Sequence, residues 1–153
     1  MNHEAPRDAL LTTLREGGIP AALELLNARV PHRYTGIYRL HDGLLTNTHL
    51  HDKQGLATPN GLATVPLDDS FCQFVFRDES FRVDNSSDER RLDGNPFQGK
   101  VIAYHGVPLM AVGVGELHGS LCHFDMEPWG ISDAEFANLQ LAATLIPAFL
   151  PTS

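Results

Sequence analysis

Four stretches decide how this chain folds: SFCQFVFRDESFRVDN at 70–85, DERRLDGNPF at 88–97, VIAYHGVPL at 101–109 and ELHGSLCHFD at 116–125. In the first, Phe71, Phe74 and Val75 fall on one helical face behind a capping Asp69 or Ser70. A short strand over 80–84 follows. Residues 87–92 carry one or two helical turns. The runs 101–112 and 116–126 read as strands joined by Gly113-Val114-Gly115. A three-residue loop sets 112 opposite 116 and, counting back along both strands, His105 opposite His123. The two imidazoles then share a face, and Cys122 alternates to the other side.

The rest of the chain builds outward from this hairpin. Leu10, Leu11 and Leu14, then Ala22, Leu25 and Leu26, recur at helical spacing over 7–28, with a break expected at Gly17, Gly18 and Pro20. Residues 33–51 read as a hairpin with Tyr34, Gly36, Tyr38 and Leu40 on one face and Asp42-Gly43 at the turn, where a type I′ geometry needs positive φ. Residues 54–66, rich in Gly, Pro and Asn, read as a loop. Ser132 with Glu135 forms a capping box for a last helix carrying Phe136, Leu139, Ala143, Ile146 and Leu150 at core spacing. The order implies one α+β domain over 1–153: an N-terminal helical segment at 1–30, sheet and pocket at 33–126, and a C-terminal helix at 132–150.

Bulk properties narrow the function. A chain of 153 residues supports one core. A formal charge of −8 argues against a nucleic-acid partner, whose phosphates this chain would repel at long range. No apolar run is long enough for a membrane span, and 1–11 has no secretory pattern. Two cysteines without framework spacing are expected as free thiols in a reducing cytoplasm.

Ser70-Phe71-Cys72-Gln73, Val83-Asp84, Asp88-Glu89-Arg90-Arg91-Leu92, Asn95-Pro96-Phe97, Tyr104-His105-Gly106-Val107-Pro108-Leu109 and Gly119-Ser120-Leu121-Cys122-His123-Phe124-Asp125 occur in one order and at one spacing. That series resembles the second half of a GAF domain, the α/β module that bacteria use mainly to hold a signalling ligand. The resemblance runs from about 69 to 150. It implies an antiparallel sheet of five or six strands, terminal helices packed on one face and a small-molecule pocket on the other. It also implies that Phe71 and Tyr104 belong to the core or pocket wall, and that Asp88, Arg91 and Asn95 sit in the segment closing over the ligand, where an arginine can fork onto a carboxylate or phosphate. His105 and His123 stand where sensor-type members carry a small and an aliphatic residue.

The leading expectation is a pocket lined by that histidine pair, set against the alternative of histidines hydrogen-bonded within a core. An organic or anionic ligand is favoured over a metal, since no third ligand is evident; no particular cofactor is indicated. His49 and His51 share a strand face and read as solvated, and His3, His32, His41 and His118 as surface or turn residues. The expected function is a non-catalytic small-molecule sensor, homodimeric through Leu10, Leu11, Leu14, Leu141, Leu145 and Phe149, signalling to a partner protein in trans. Two alternatives are weighed beside it. One is a thiol enzyme resembling the freestanding GAF proteins that reduce free methionine sulfoxide, although no cysteine lies between 84 and 104. The other is a module that binds only protein. A bilin is discounted, because Cys122-His123 follows the Tyr-x-Gly-Val strand where phytochrome-type domains place the pair before it.

Overall fold

The computed structural model describes residues 4–55, 62–111 and 116–150. Helix α1 (Glu4–Asn27) leads into strands β1 (Tyr34–His41), β2 (Leu44–Asp52) and β3 (Thr64–Pro66). Helix α2 (Cys72–Asp78), strands β4 (Phe81–Val83), β5 (Ala103–Met110) and β6 (Leu117–Asp125), and helix α3 (Asp133–Leu145) follow. The six strands form one antiparallel sheet in the order β3-β2-β1-β6-β5-β4.

The local signals act as their chemistry requires. Gly18 breaks α1 with φ 71 and ψ −166, and Pro20 begins its second half. Asp42 and Gly43, at φ 52 and 74, close the β1–β2 hairpin with His41 paired to Leu44. Ser132 Oγ accepts the Glu135 N–H at 3.1 Å and starts α3. Residues 86–88 and 90–92 are single 3-10 turns, and 146–149 is a 3-10 extension of α3. The edge strand β3 lies within the stretch expected to be loop; Leu45 pairs with Val65 there. The Gly113-Val114-Gly115 loop lies outside the described residues.

Two cores flank the sheet. On one side α1 and α3 cover Ile37, Val107, Leu109 and Leu121. On the other, α2 and the segments around Leu62, Leu92 and Val101 cover Tyr38, Tyr104, Cys122 and Phe124. Alternation along each strand therefore separates an aliphatic face under the long helices from an aromatic face under short elements.

Candidate ligand-binding site

The aromatic face holds a cavity of about 40 Å³. Its floor is Tyr38, Tyr104 and Phe124, one from each of β1, β5 and β6, with Leu45 from β2. Its roof comes from Leu62, Val65, the start of α2 at Ser70, Phe71 and Cys72, and from Phe97 and Val101. The Tyr104 ring meets Phe71 edge-on at 5.6 Å between centroids, while Phe124 stacks on Tyr34 at 4.9 Å. Gly106 makes room for this: a β-carbon there would lie 2.8 Å from the Tyr104 hydroxyl, so the ring can lie along its own strand only over a glycine.

Polar atoms on the wall are engaged within the protein. The Tyr38 hydroxyl donates to Leu62 O at 2.7 Å. Ser70 Oγ donates to Leu67 O at 2.7 Å and accepts the Gln73 N–H at 3.2 Å. Cys72 Sγ lies 3.1 Å from both the Tyr104 hydroxyl and Ser120 Oγ. Burial pushes the Cys72 thiol up and the Cys122 thiol well up, so both are protonated at neutral pH.

Tyr104 and Phe71 stand on the cavity wall, where the resemblance places them. The histidines do not. His105 and His123 are directly paired across β5 and β6, through a bulge at His118 rather than the unbroken count from the turn, and they lie on the face covered by α1. They share that face with Val107, Leu109 and Leu121, the aliphatic residues that the terminal helices bury. Asp88 and Arg91 are exposed and do not line the cavity. The Arg91 guanidinium forks onto Glu89 at 2.8 and 2.9 Å and lies over the Phe81 ring, so its bidentate capacity is used inside its own turn. Asn95 acts indirectly: its Oδ1 accepts the Phe97 N–H at 2.9 Å, fixing the turn that carries Phe97 to the cavity. Of the segment 85–100, Phe97 alone lines the cavity.

Under α1 the histidines form a buried polar network. His105 Nε2 lies 2.9 Å from Asp84 Oδ1, and His105 Nδ1 lies 2.9 Å from His32 Nε2. A carboxylate only accepts, so His105 donates from Nε2 and accepts at Nδ1 from His32. That leaves a bare lone pair on His32 Nδ1, which has no partner among the described residues. Asn27, at the end of α1, donates to Thr35 Oγ1 at 2.9 Å, and Thr35 Oγ1 is hydrogen-bonded to His123 Nδ1 at 2.6 Å. Lys53 caps Asn27 through contacts of 2.6 and 2.7 Å. His32 is fully buried, contrary to its reading as a turn residue; the ring tucks beneath α1 because the sheet offers it a partner there. Among the described residues no group of three His, Cys, Asp or Glu side chains is arranged to hold a metal.

Two larger depressions lie elsewhere on the molecule. One of about 310 Å³ is lined by Arg33, Lys53, Asp125 and Glu127; Arg33 is ion-paired to Asp52 and the Lys53 ammonium donates to the neutral Asn27. The other, about 820 Å³, is a groove between α3 and the ends of β5 and β6.

Signals for the missed wall residues existed. The hairpin count that pairs the histidines also pairs Tyr104 with Phe124, and the Tyr34–Leu40 alternation places Tyr38 beside them. Leu62, Val65 and Val101 reach the cavity through tertiary packing, which no local pattern announces.

Comparison of the sequence with protein-family profiles and with curated proteins finds no match. The fold does match known structures. It superposes on the GAF domain of an Acinetobacter phosphoenolpyruvate-protein phosphotransferase with a TM-score of 0.74, at 16% identity, over 97% of this chain and 93% of that one. It is similar to the phycocyanobilin-bound GAF domain of a cyanobacterial phytochrome, with a TM-score of 0.71, 16% identity and coverage of 97% and 93%. It is also similar to the type II free methionine-R-sulfoxide reductase of Thermoplasma acidophilum, with a TM-score of 0.64, 18% identity and coverage of 91% and 96%. The fold is thus the GAF fold. Since it serves both a chromophore-bound domain and a reductase, it does not by itself choose between binding and catalysis.

Proposed function

We propose that this chain is a small-molecule-binding sensor module that passes its signal to a partner protein in trans. The observation carrying this reading is the aromatic-walled cavity on the sheet face opposite the terminal helices, enclosed by short elements. Its space holds a few waters at most, far below the roughly 300 Å³ of a formed drug-sized pocket, so a ligand must displace roof side chains as it enters. Displacing them alters the packing of α2 and of 97–101, and a ligand that favours the displaced arrangement shifts the population towards it. We further propose a homodimer through Leu11, Leu141 and Phe149, which remain partly exposed; Leu10, Leu14 and Leu145 are spent in the monomer core. Two free, buried thiols fit a cytoplasmic setting. Among the described residues no helix is long and apolar enough to cross a membrane.

Native mass spectrometry of protein purified from its host tests the reading by showing a bound mass. Adding the recovered compound at a hundredfold excess over its dissociation constant raises stability by about 2.7 kcal/mol. A protein that carries no mass from its host, and whose melting point no compound moves, sinks the sensor and leaves a module that binds only protein.

A thiol reductase is the second reading, favoured by Cys72 on the cavity wall and by the reductase among the structural neighbours. Against it, both thiols are buried and held protonated. It requires turnover of free methionine sulfoxide that disappears in Cys72→Ser.

A further inference from the structure

Resting on the reading of this cavity as the binding site, we propose that its ligand is a small, uncharged, predominantly apolar molecule of single-ring size. Three observations converge on that class.

The first is charge. Among the described residues none lining the cavity is ionised: the walls are Tyr, Phe, Leu, Val, one serine and one protonated thiol. The nearby charges are committed elsewhere, Arg91 to Glu89 and Asp84 to the far face through His105. A carboxylate or phosphate would enter without a counter-ion, and an unpaired charge in an apolar site carries a prohibitive desolvation cost.

The second is hydrogen bonding. Tyr38, Ser70, Cys72 and Tyr104 already spend their polar atoms on Leu62 O, Leu67 O, Ser120 Oγ and one another. A polar ligand would have to break these bonds to be recognised, leaving protein groups unpaired. An apolar ring leaves them intact and gains the faces of Tyr104 and Phe124 and the edge of Phe71.

The third is size. The existing space is about 40 Å³, and Phe97 is the half-buried member of its roof. Swinging that ring outward frees room for one ring. A tetrapyrrole or a nucleotide would require the whole roof to leave, breaking the Tyr38 bond that latches Leu62 over the cavity.

The test compares toluene with benzoate, which share a ring and differ by a carboxylate, on the full chain by thermal melting and titration calorimetry. Toluene binds saturably and raises the melting point; benzoate binds about tenfold more weakly or worse. Val65→Phe fills the cavity and abolishes toluene binding. Phe97→Leu enlarges it and lets naphthalene bind about tenfold more tightly than to the unaltered chain. Circular dichroism confirms that each variant folds, and if Val65→Phe does not, Phe97→Leu decides alone: unchanged affinity for both hydrocarbons overturns the placement. Benzoate binding as well as toluene overturns the ligand class while leaving a sensor. If neither ring binds but a charged compound is recovered from the host protein, the class falls and the sensor reading stands. If nothing binds by either route, both fall.

Discussion

Protonating His32, His105 or His123 puts a charge where water does not reach. Burial is the largest cause in each case: it lowers His32 to about 4, lowers His105 against the pull of Asp84, and holds His123 well below the ordinary value of 6.5. The unfolded chain therefore binds these protons before the folded one does. Stability is complete above about pH 6.5 and is lost as pH falls through the lowered folded values, by up to about 1.4 kcal/mol per pH unit for each group between its two pKa values. Thermal melts should show a plateau above neutrality and a decline from about pH 6.5 towards 4. His32→Gln, which removes one of the buried bases, should flatten that decline. A melting point level from pH 8 to 4 would count against the network as drawn. The same chain of bonds, on the face opposite the cavity, fastens the end of α1 to the sheet through Asn27 and Thr35.

Among the elements, the β1–β6 seam depends on one missing side chain. The β5–β6 pairing slips between Leu109 and Met110, so that Gly119 pairs with Leu109 and Leu117 with Met110, and His118 is the extra residue. At Gly119 a β-carbon would sit 1.8 Å from Tyr38 O, a backbone atom that cannot yield without opening the strand pair. Gly119→Ala should cost about 3 kcal/mol or more, at the severe end for a single methyl. The helix caps work on a smaller scale. Ser132→Ala removes the acceptor for the Glu135 N–H and should cost about 1 kcal/mol. Urea denaturation of both variants checks the ranking; near-equal midpoints would contradict the steric account. Arg82 links elements as well, bridging β4 to Asp133 and Ile131 O at the start of α3 and lying over Phe136.

For the whole molecule, the proposed dimer makes a direct prediction. Light scattering should give twice the monomer mass, and Leu141→Glu, a half-buried position on α3, should halve it while the circular dichroism stays unchanged. A monomeric unaltered chain would remove the dimer. At this scale too, legibility in the sequence divides cleanly. The hairpin turn at Asp42-Gly43, the break at Gly18 and the cap at Ser132 were readable, because each rests on contacts local in sequence; the His105–His123 pairing was read, but the count across the turn missed the bulge at His118, beyond which Met110 pairs with Leu117. Strand β3 was not, because its three residues hold their place only by pairing with β2. The cavity was half legible: Phe71 and Tyr104 came from motif position, while Leu62, Val65 and Val101 come from distant segments.

By itself the sequence determined the order of the main elements and which residues beside His105 and His123 share a face, since alternation along an unbroken strand leaves no freedom in that assignment, but it did not announce the bulges at Thr48 and His118 that shift both hairpin registers. Only the tertiary structure decided which face the long helices cover. Alternation is symmetric with respect to the two sides of a sheet, and the choice falls to where the greater aliphatic area can be buried. Here that is the side of Val107, Leu109 and Leu121, and it took the paired histidines with it.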